Sequence, residues 1–283
     1  MVTRLNLIIN ADDLGISTEV NRQIEKCINL GVITSSTLLA NAPAFDDGIR
    51  IAKQYSQISV GVHLNLIEFA PLTNVEIFKK HGIVGDDGNF IEGAIFCVPI
   101  DDELKQAVFE EWDAQVSKIK EANITPTHCD SHQHTHTILS LHEPLFRVLE
   151  KHSINHVRRK LTPSIRLLLL QKRRPAIKLD KSKAKMLPKR NILYRRLHLL
   201  SVIRRCHKWN DMLGKRFRIA DGFYPFNDFY YDCKVLRLGQ ANAVVELMCH
   251  PGHIAYQNET NNLINSQSWF NKNKYSLISY KEL

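Results

Sequence analysis

Four histidines and one aspartate crowd into ten residues, Thr127-His128-Cys129-Asp130-Ser131-His132-Gln133-His134-Thr135-His136. Imidazoles at this density repel one another once protonated, so the pattern suits a ligand that neutral ring nitrogens can share, above all a divalent metal. An exposed turn that is merely rich in histidine is the plain alternative. Two other stretches favour chemistry. In Leu7-Ile8-Ile9-Asn10-Ala11-Asp12-Asp13-Leu14-Gly15 an apolar run ends in two adjacent carboxylates, as a buried strand would deliver acids to its C-terminal edge. In Val60-Gly61-Val62-His63-Leu64-Asn65-Leu66 a single histidine sits among apolar neighbours, where a hydrogen-bonded core role competes with a ligand role. Three strand ends, each offering Asp or His, match a hydrolytic metal site with open positions for water and substrate.

The intervening residues supply the elements that must position these groups. Ser17 is a good N-cap, and Val20, Ile24, Cys27 and Ile28 recur at helical spacing until Gly31. Thr34 to Ala40 is β-branched and apolar, Asp46 to Tyr55 reads as a short helix, and Ser59 to Leu66 is the strand bearing His63. Residues 67 to 100 have weak periodicity and several turn residues, which predicts a long loop at the active-site end. Asp101 caps a helix whose stripe is Leu104, Val108, Trp112, Val116 and Ile119. The histidine-rich stretch, a helix from Leu141 to His152 and a strand from Asn155 to Arg158 follow. Val244 to Cys249 reads as a continuous apolar strand ending in His250-Pro251-Gly252-His253, and Tyr275 to Tyr280 as a final strand. Strand and helix alternate, so the expected architecture is a single α/β domain over residues 1–283, a TIM-like (β/α) barrel, regular or distorted.

The formal charge of +9 at 283 residues comes from one place. From Arg158 to Arg218 there are 21 Lys and Arg against Asp180 and Asp211, and the remainder carries −10. That segment reads as a helical insertion, and the rest has the balance of an ordinary soluble enzyme. Within it Leu167 to Leu170 and the face of Leu193, Leu197 and Leu200 leave open a peripheral contact with anionic membrane, against the plainer reading of a solvated insertion. It lacks the aromatic interleaving of a single-strand nucleic-acid groove. The six cysteines show no C-x-x-C pair, and no stretch has the length of a membrane span. With no h-region at the N-terminus, cytoplasmic residence is the expectation.

The order Asn10-Ala11-Asp12-Asp13-Leu14-Gly15, Val32-Ile33-Thr34-Ser35-Ser36-Thr37, Gly61-Val62-His63-Leu64, Pro126 to His136 and Cys249-His250-Pro251-Gly252-His253 resembles the YdjC-like carbohydrate deacetylases. That family includes chitooligosaccharide deacetylases and a hopanoid-associated branch. The resemblance covers residues 1 to about 157 and resumes near Asp221. It implies a hydrolase of N-acetylated sugars or glycolipids, with Asp13, His63 and His132 as metal ligands and Asp12 as general base. His250, in the His-Pro motif, is the candidate proton donor to the leaving amine. Asp130, His134 and His136 are then orienting partners or substrate contacts. One carboxylate and two imidazoles accommodate zinc or magnesium, and manganese or cobalt as well. Leu14 stands where the family usually has phenylalanine, and Asn258-Glu259 where an arginine-glutamate pair is common. Hydrolysis of another amide or ester fits the same ligands, and a homodimer is compatible with the sequence.

Overall fold

The computed structural model describes residues 5–162, 192–232 and 242–283. At its centre is β1 (Asn6–Leu14), buried along nearly its whole length and hydrogen-bonded in parallel to β2 (Ser35–Leu38) and β7 (Val244–Cys249). Around it run β3 (Ser59–Leu64), β4 (His128–Ser131), β5 (His156–Val157) and β6 (Gly222–Pro225), in the order β5-β4-β3-β2-β1-β7-β6. Every pairing in this path is parallel, and a bridge between His156 and Arg218 brings the chain just ahead of β6 against the opposite edge. This is the distorted TIM-like barrel that the alternation predicts.

The helices form where capping and periodicity require. Ser17 accepts from Val20 N to open α1 (Thr18–Asn29), and α2 (Phe45–Gln54) follows β2. Asp101 accepts from Leu104 N to open α4 (Asp102–Glu121), whose stripe of Leu104, Val108, Trp112, Val116 and Ile119 is buried. α5 is His142–His152, α6 Ile192–Gly214, α7 Phe226–Asp232, α8 Gln257–Ile264 and α9 Gln267–Lys272.

Three expectations are refined. The stretch 67–100 is a loop at the active-site end, yet it contains α3 (Val75–Lys80) and an antiparallel bridge from Val84 to Phe90. The final strand β8 is only Ser276–Leu277, beside β1, because Ser279 and Glu282 form a capping box that turns Tyr280 into a helical turn. The basic segment, expected as a helical insertion, closes with a helix that runs to Gly214. Leu167 to Leu170 and the basic stretch through residue 190 lie outside the described residues, as do the side chains of Leu193 and Leu197. Leu200 is exposed on α6. Among the described residues no helix is long and apolar enough to cross a membrane.

Candidate metal and proton-transfer site

Successive residues of a regular strand point to opposite faces, so Asp12 and Asp13 could not both enter one site from an unbroken β1. The register between β1 and β2 shifts between Ala11 and Leu14, and Asp13 lies at φ 66°. A bulge of this kind re-aims a side chain, here at a strain of about 1–2 kcal/mol, and both carboxylates reach the same end of the sheet. The parallel register of β3 and β4 brings His63 opposite Asp130, one residue before the chain leaves β4 towards His132. Gln133 and His134 take left-handed conformations (φ 48° and 60°), reversing the chain so that His132 and His134 face the same cavity.

Asp13 Oδ1 lies 3.2 Å from His63 Nε2 and 2.8 Å from His132 Nδ1. One donor atom from each of the three lies within 4.8 Å of the others, which is the spacing a metal ion needs. Asp12, His63 and Asp130 satisfy the same distance test, but Arg158 already occupies both of those aspartates. At this end of the sheet the donor set left is Asp13, His63 and His132, mixed imidazole and carboxylate, suited to zinc and tolerant of manganese, cobalt or magnesium. His63 Nδ1 donates to Asp130 Oδ1 at 2.6 Å, the carboxylate-histidine arrangement that fixes the tautomer of a metal-binding imidazole. Burial alone would lower the His63 pKa, but Asp130 and Asp13 raise it to about 10, so this pocket holds a cation strongly.

Arg158 has no exposed surface and is clamped by carboxylates. Nη1 lies 2.6 Å from Asp12 Oδ2 and 2.7 Å from Asp130 Oδ2, Nη2 donates to Asp12 Oδ1 at 2.6 Å, and Nε donates to Glu246 Oε1 at 2.6 Å. Burial pushes the Asp12 pKa up, but the Arg158 charge and hydrogen bonds carry it well below the usual carboxylate range. Asp13 is likewise held low, its burial outweighed by hydrogen bonds from His132 and His63. Asn10 Nδ2 donates to Asp12 Oδ1, and Thr37 Oγ1 donates to Asp130 Oδ2.

His250 follows β7 and stands across Asp12, with Nε2 at 3.8 Å from Oδ2. Glu259 Oε1 accepts from the His250 backbone N at 2.6 Å and lies 3.4 Å from Nδ1, while Tyr256 stacks on the ring at 4.6 Å. Burial would lower this imidazole, yet Glu259 and Asp12 raise its pKa to about 9, so it is a cation at neutral pH. Asp12, Asp13, His63, His132, His250 and Tyr256 line a cavity of about 480 Å³, joined by Glu68 and Glu92 from the loop after β3.

The two remaining histidines part company. His134 lines the cavity with its ring edge-on to Phe223, and burial together with Arg158 holds its pKa at about 4, so it is neutral. His136 is fully buried behind the loop, accepts from Ser131 Oγ at 2.5 Å and donates from Nε2 to the Arg158 carbonyl at 3.1 Å. It braces the backbone of Arg158 instead of facing the cavity.

The model of the YdjC-like protein family matches residues 6–275. The chain belongs to that family. The carbohydrate deacetylases of Halalkalibacterium halodurans and Clostridium beijerinckii are each 34% identical to it, over 148 and 151 residues. Those matches cover 52% and 53% of this YdjC-like chain and 59% and 58% of the relatives, or about three fifths of their length. The crystal structure of a candidate cellobiose-phosphate cleavage protein from Enterococcus faecalis V583 superposes with a TM-score of 0.70 at 21% identity, over 99% of this chain and 98% of that one. That likeness establishes the shared fold.

Asp12, Asp13, His63, His132, His134 and His250 thus meet at one cavity of the YdjC-like barrel, with Asp130 directly behind His63. Reading the sequence missed three participants. Arg158 reads with the basic segment, although it ends a strand-like run, the same signal that singles out Asp12 and Asp13. Glu246 interrupts Val244 to Cys249, which was read as wholly apolar. Glu259 was noted only as part of a family motif, and its contact with His250 needs α8 to fold back.

Proposed function

We propose that this protein is a divalent-metal-dependent hydrolase that removes the acetyl group from an N-acetylated sugar, with Asp13, His63 and His132 holding the metal. The observation that carries the reading is the pairing, at one cavity, of a three-donor cluster with an Arg158-bound carboxylate on one side and a cationic imidazole on the other. Three buried aspartates share this wall with one permanent cation, Arg158, and a dication at Asp13, His63 and His132 would take over the neutralising role that the raised His63 pKa marks. When bound, the metal supplies Lewis-acid polarisation of the amide carbonyl and acidifies water, which a base as weak as the Arg158-paired Asp12 requires.

The protein's own residues do the rest. Asp12, ionised through the neutral range, accepts the proton of the attacking water at a carboxylate oxygen that Arg158 and Asn10 hold in place. His250, charged at neutral pH, gives its proton to the departing nitrogen, and Glu259 keeps the ring oriented for that transfer. Neutral His134 offers a ring nitrogen to the sugar at the cavity wall. The names of the relatives support an acetylated carbohydrate as substrate.

The test is acetate release from N-acetylglucosamine-containing mono-, oligo- and lipid-linked substrates, with zinc, magnesium, manganese or cobalt and with a chelator. Activity with at least one substrate, abolished by chelation and restored by metal, is expected. Folded, metal-loaded protein that releases acetate from none of them would sink the proposal.

A further inference from the structure

Asp12 and Asp130 account for one end of the Arg158 guanidinium, but its third edge is taken by a residue with no place in that chemistry. Glu246 is fully buried on β7, where its neighbours Val245 and Leu247 are core residues. A carboxylate in such a strand is costly unless it is paired. Its partner is Arg158 Nε at 2.6 Å. Glu246 is also the register partner of Phe223 on β6, and the Phe223 ring lies under the same guanidinium at 4.9 Å. Adjacent positions of two paired strands therefore form a cradle, one supplying an acceptor at the edge and the other a ring face. The Glu246 carboxyl lies beside the buried Tyr280 hydroxyl, whose ring is fixed by stacking on His128 at 3.8 Å.

We propose that Glu246 is a positioning residue: by anchoring Nε it sets the plane of the Arg158 fork, so that one guanidinium serves Asp12 and Asp130 together. The geometry makes this necessary. Nη1 is shared between Asp12 Oδ2 and Asp130 Oδ2 at 2.6 and 2.7 Å and Nη2 donates to Asp12 Oδ1 at 2.6 Å, so every one of these contacts is on the terminal nitrogens, and a fork held only at that end could swing to favour one carboxylate over the other. Turning it towards Asp130 would release Asp12, and turning it towards Asp12 would loosen the carboxylate that orients His63. The Nε contact on the far edge opposes that swing, because it fixes the guanidinium at the end opposite the terminal nitrogens. Glu246 touches neither the cavity nor the metal-donor cluster, and it acts only through Arg158.

The inference rests on the proposed deacetylation for its kinetic consequence and on geometry alone for the rest, so two readouts separate them. In the first, nuclear magnetic resonance follows the Arg158 Nε–H signal, assigned by its loss in Arg158→Lys. It should be protected from solvent exchange in the wild type, displaced in Glu246→Gln, whose amide oxygen accepts a neutral and weaker bond, and unprotected in Glu246→Leu. In the second, kcat for acetate release should fall about tenfold in Glu246→Gln and at least hundredfold in Glu246→Leu, with KM and zinc affinity within twofold of wild type. Zinc affinity is measured by calorimetry. An unchanged Nε–H signal in Glu246→Gln overturns the proposal whether or not the enzyme is active on sugars. So does a Glu246→Gln variant with wild-type kcat, or one that loses kcat and zinc affinity in parallel, as a general structural defect would. If Glu246→Leu does not fold, Glu246→Gln decides alone.

Discussion

Replacing Arg158 by methionine tests the electrostatic logic of the site most directly. Methionine fills similar space but removes the guanidinium, which has no exposed surface and contacts Asp12, Asp130 and Glu246 at 2.6–2.7 Å. Breaking one partner out of a buried ion-pair network leaves uncompensated charge and costs about 3–5 kcal/mol. With a urea m-value of about 3 kcal/mol/M for a chain of this size, the midpoint should fall by about 1–1.7 M. The loss should depend on pH in a set direction. In the wild type the Asp12 pKa is depressed, so its stabilisation is complete above the unfolded value of 3.8 and is lost only as pH falls through the lower folded value. In Arg158→Met burial is left without its counter-charge, and the Asp12 carboxylate is pushed above its unfolded value. The variant is then penalised as pH rises from about 4 to 7. Urea titrations at pH 4.5 and 7 should therefore show a smaller difference between variant and wild type at the lower pH. A loss under about 1 kcal/mol at pH 7, or one that grows on acidification, would refute the assignment of Arg158 as the counter-charge of these aspartates.

Asp13→Ala or His132→Ala should abolish both zinc binding and acetate release, whereas Asp12→Asn should keep zinc, measured by calorimetry, and lose at least ~100-fold in kcat. Retention of zinc by Asp13→Ala with its loss in Asp12→Asn would exchange the two roles. The His250 pKa, raised to about 9 chiefly by Glu259 against its burial, predicts that kcat/KM falls as pH rises through about 9. In Glu259→Gln that limb should move down towards 6.5, and a limb that stays put would exclude His250 as the proton donor. Gly61→Ala should destabilise by at least ~2 kcal/mol in urea titration, because the new methyl would lie 2.6 Å from the His128 carbonyl and 2.7 Å from its ring. A near-neutral effect would mean that β3 and β4 can separate without disturbing His63 and Asp130.

Much of the site was legible because its residues announce themselves against a simple background. Asp12 and Asp13 end an apolar run, His63 interrupts another, and the density of histidines from 128 to 136 is hard to explain without shared ligands. Alternating periodicity and capping residues such as Ser17 and Asp101 gave the order of strands and helices, and hence the parallel barrel and the end of it that carries the chemistry. Local rules suffice for such features, since they depend on residues a few positions apart.

What the sequence could not decide is which charges meet. Arg158 lies in a run of basic residues, and its place at the end of a strand-like run does not say which charges it meets; the pairing of β4 with β5 turns it inward, 146 residues from Asp12 along the chain. The division between His134 and His136 has the same origin, because left-handed turns at Gln133 and His134 send one ring to the cavity and the other to the back of Arg158. Even the pair Asp12 and Asp13, obvious in sequence, shares a site only because a bulge in β1 overrides strand alternation. Sequence therefore determined which groups could do chemistry and at which end of which strands. Tertiary structure decided which carboxylate stands among the imidazole donors and which is held by arginine, because that choice is made by charges packed together in an interior from which water is excluded.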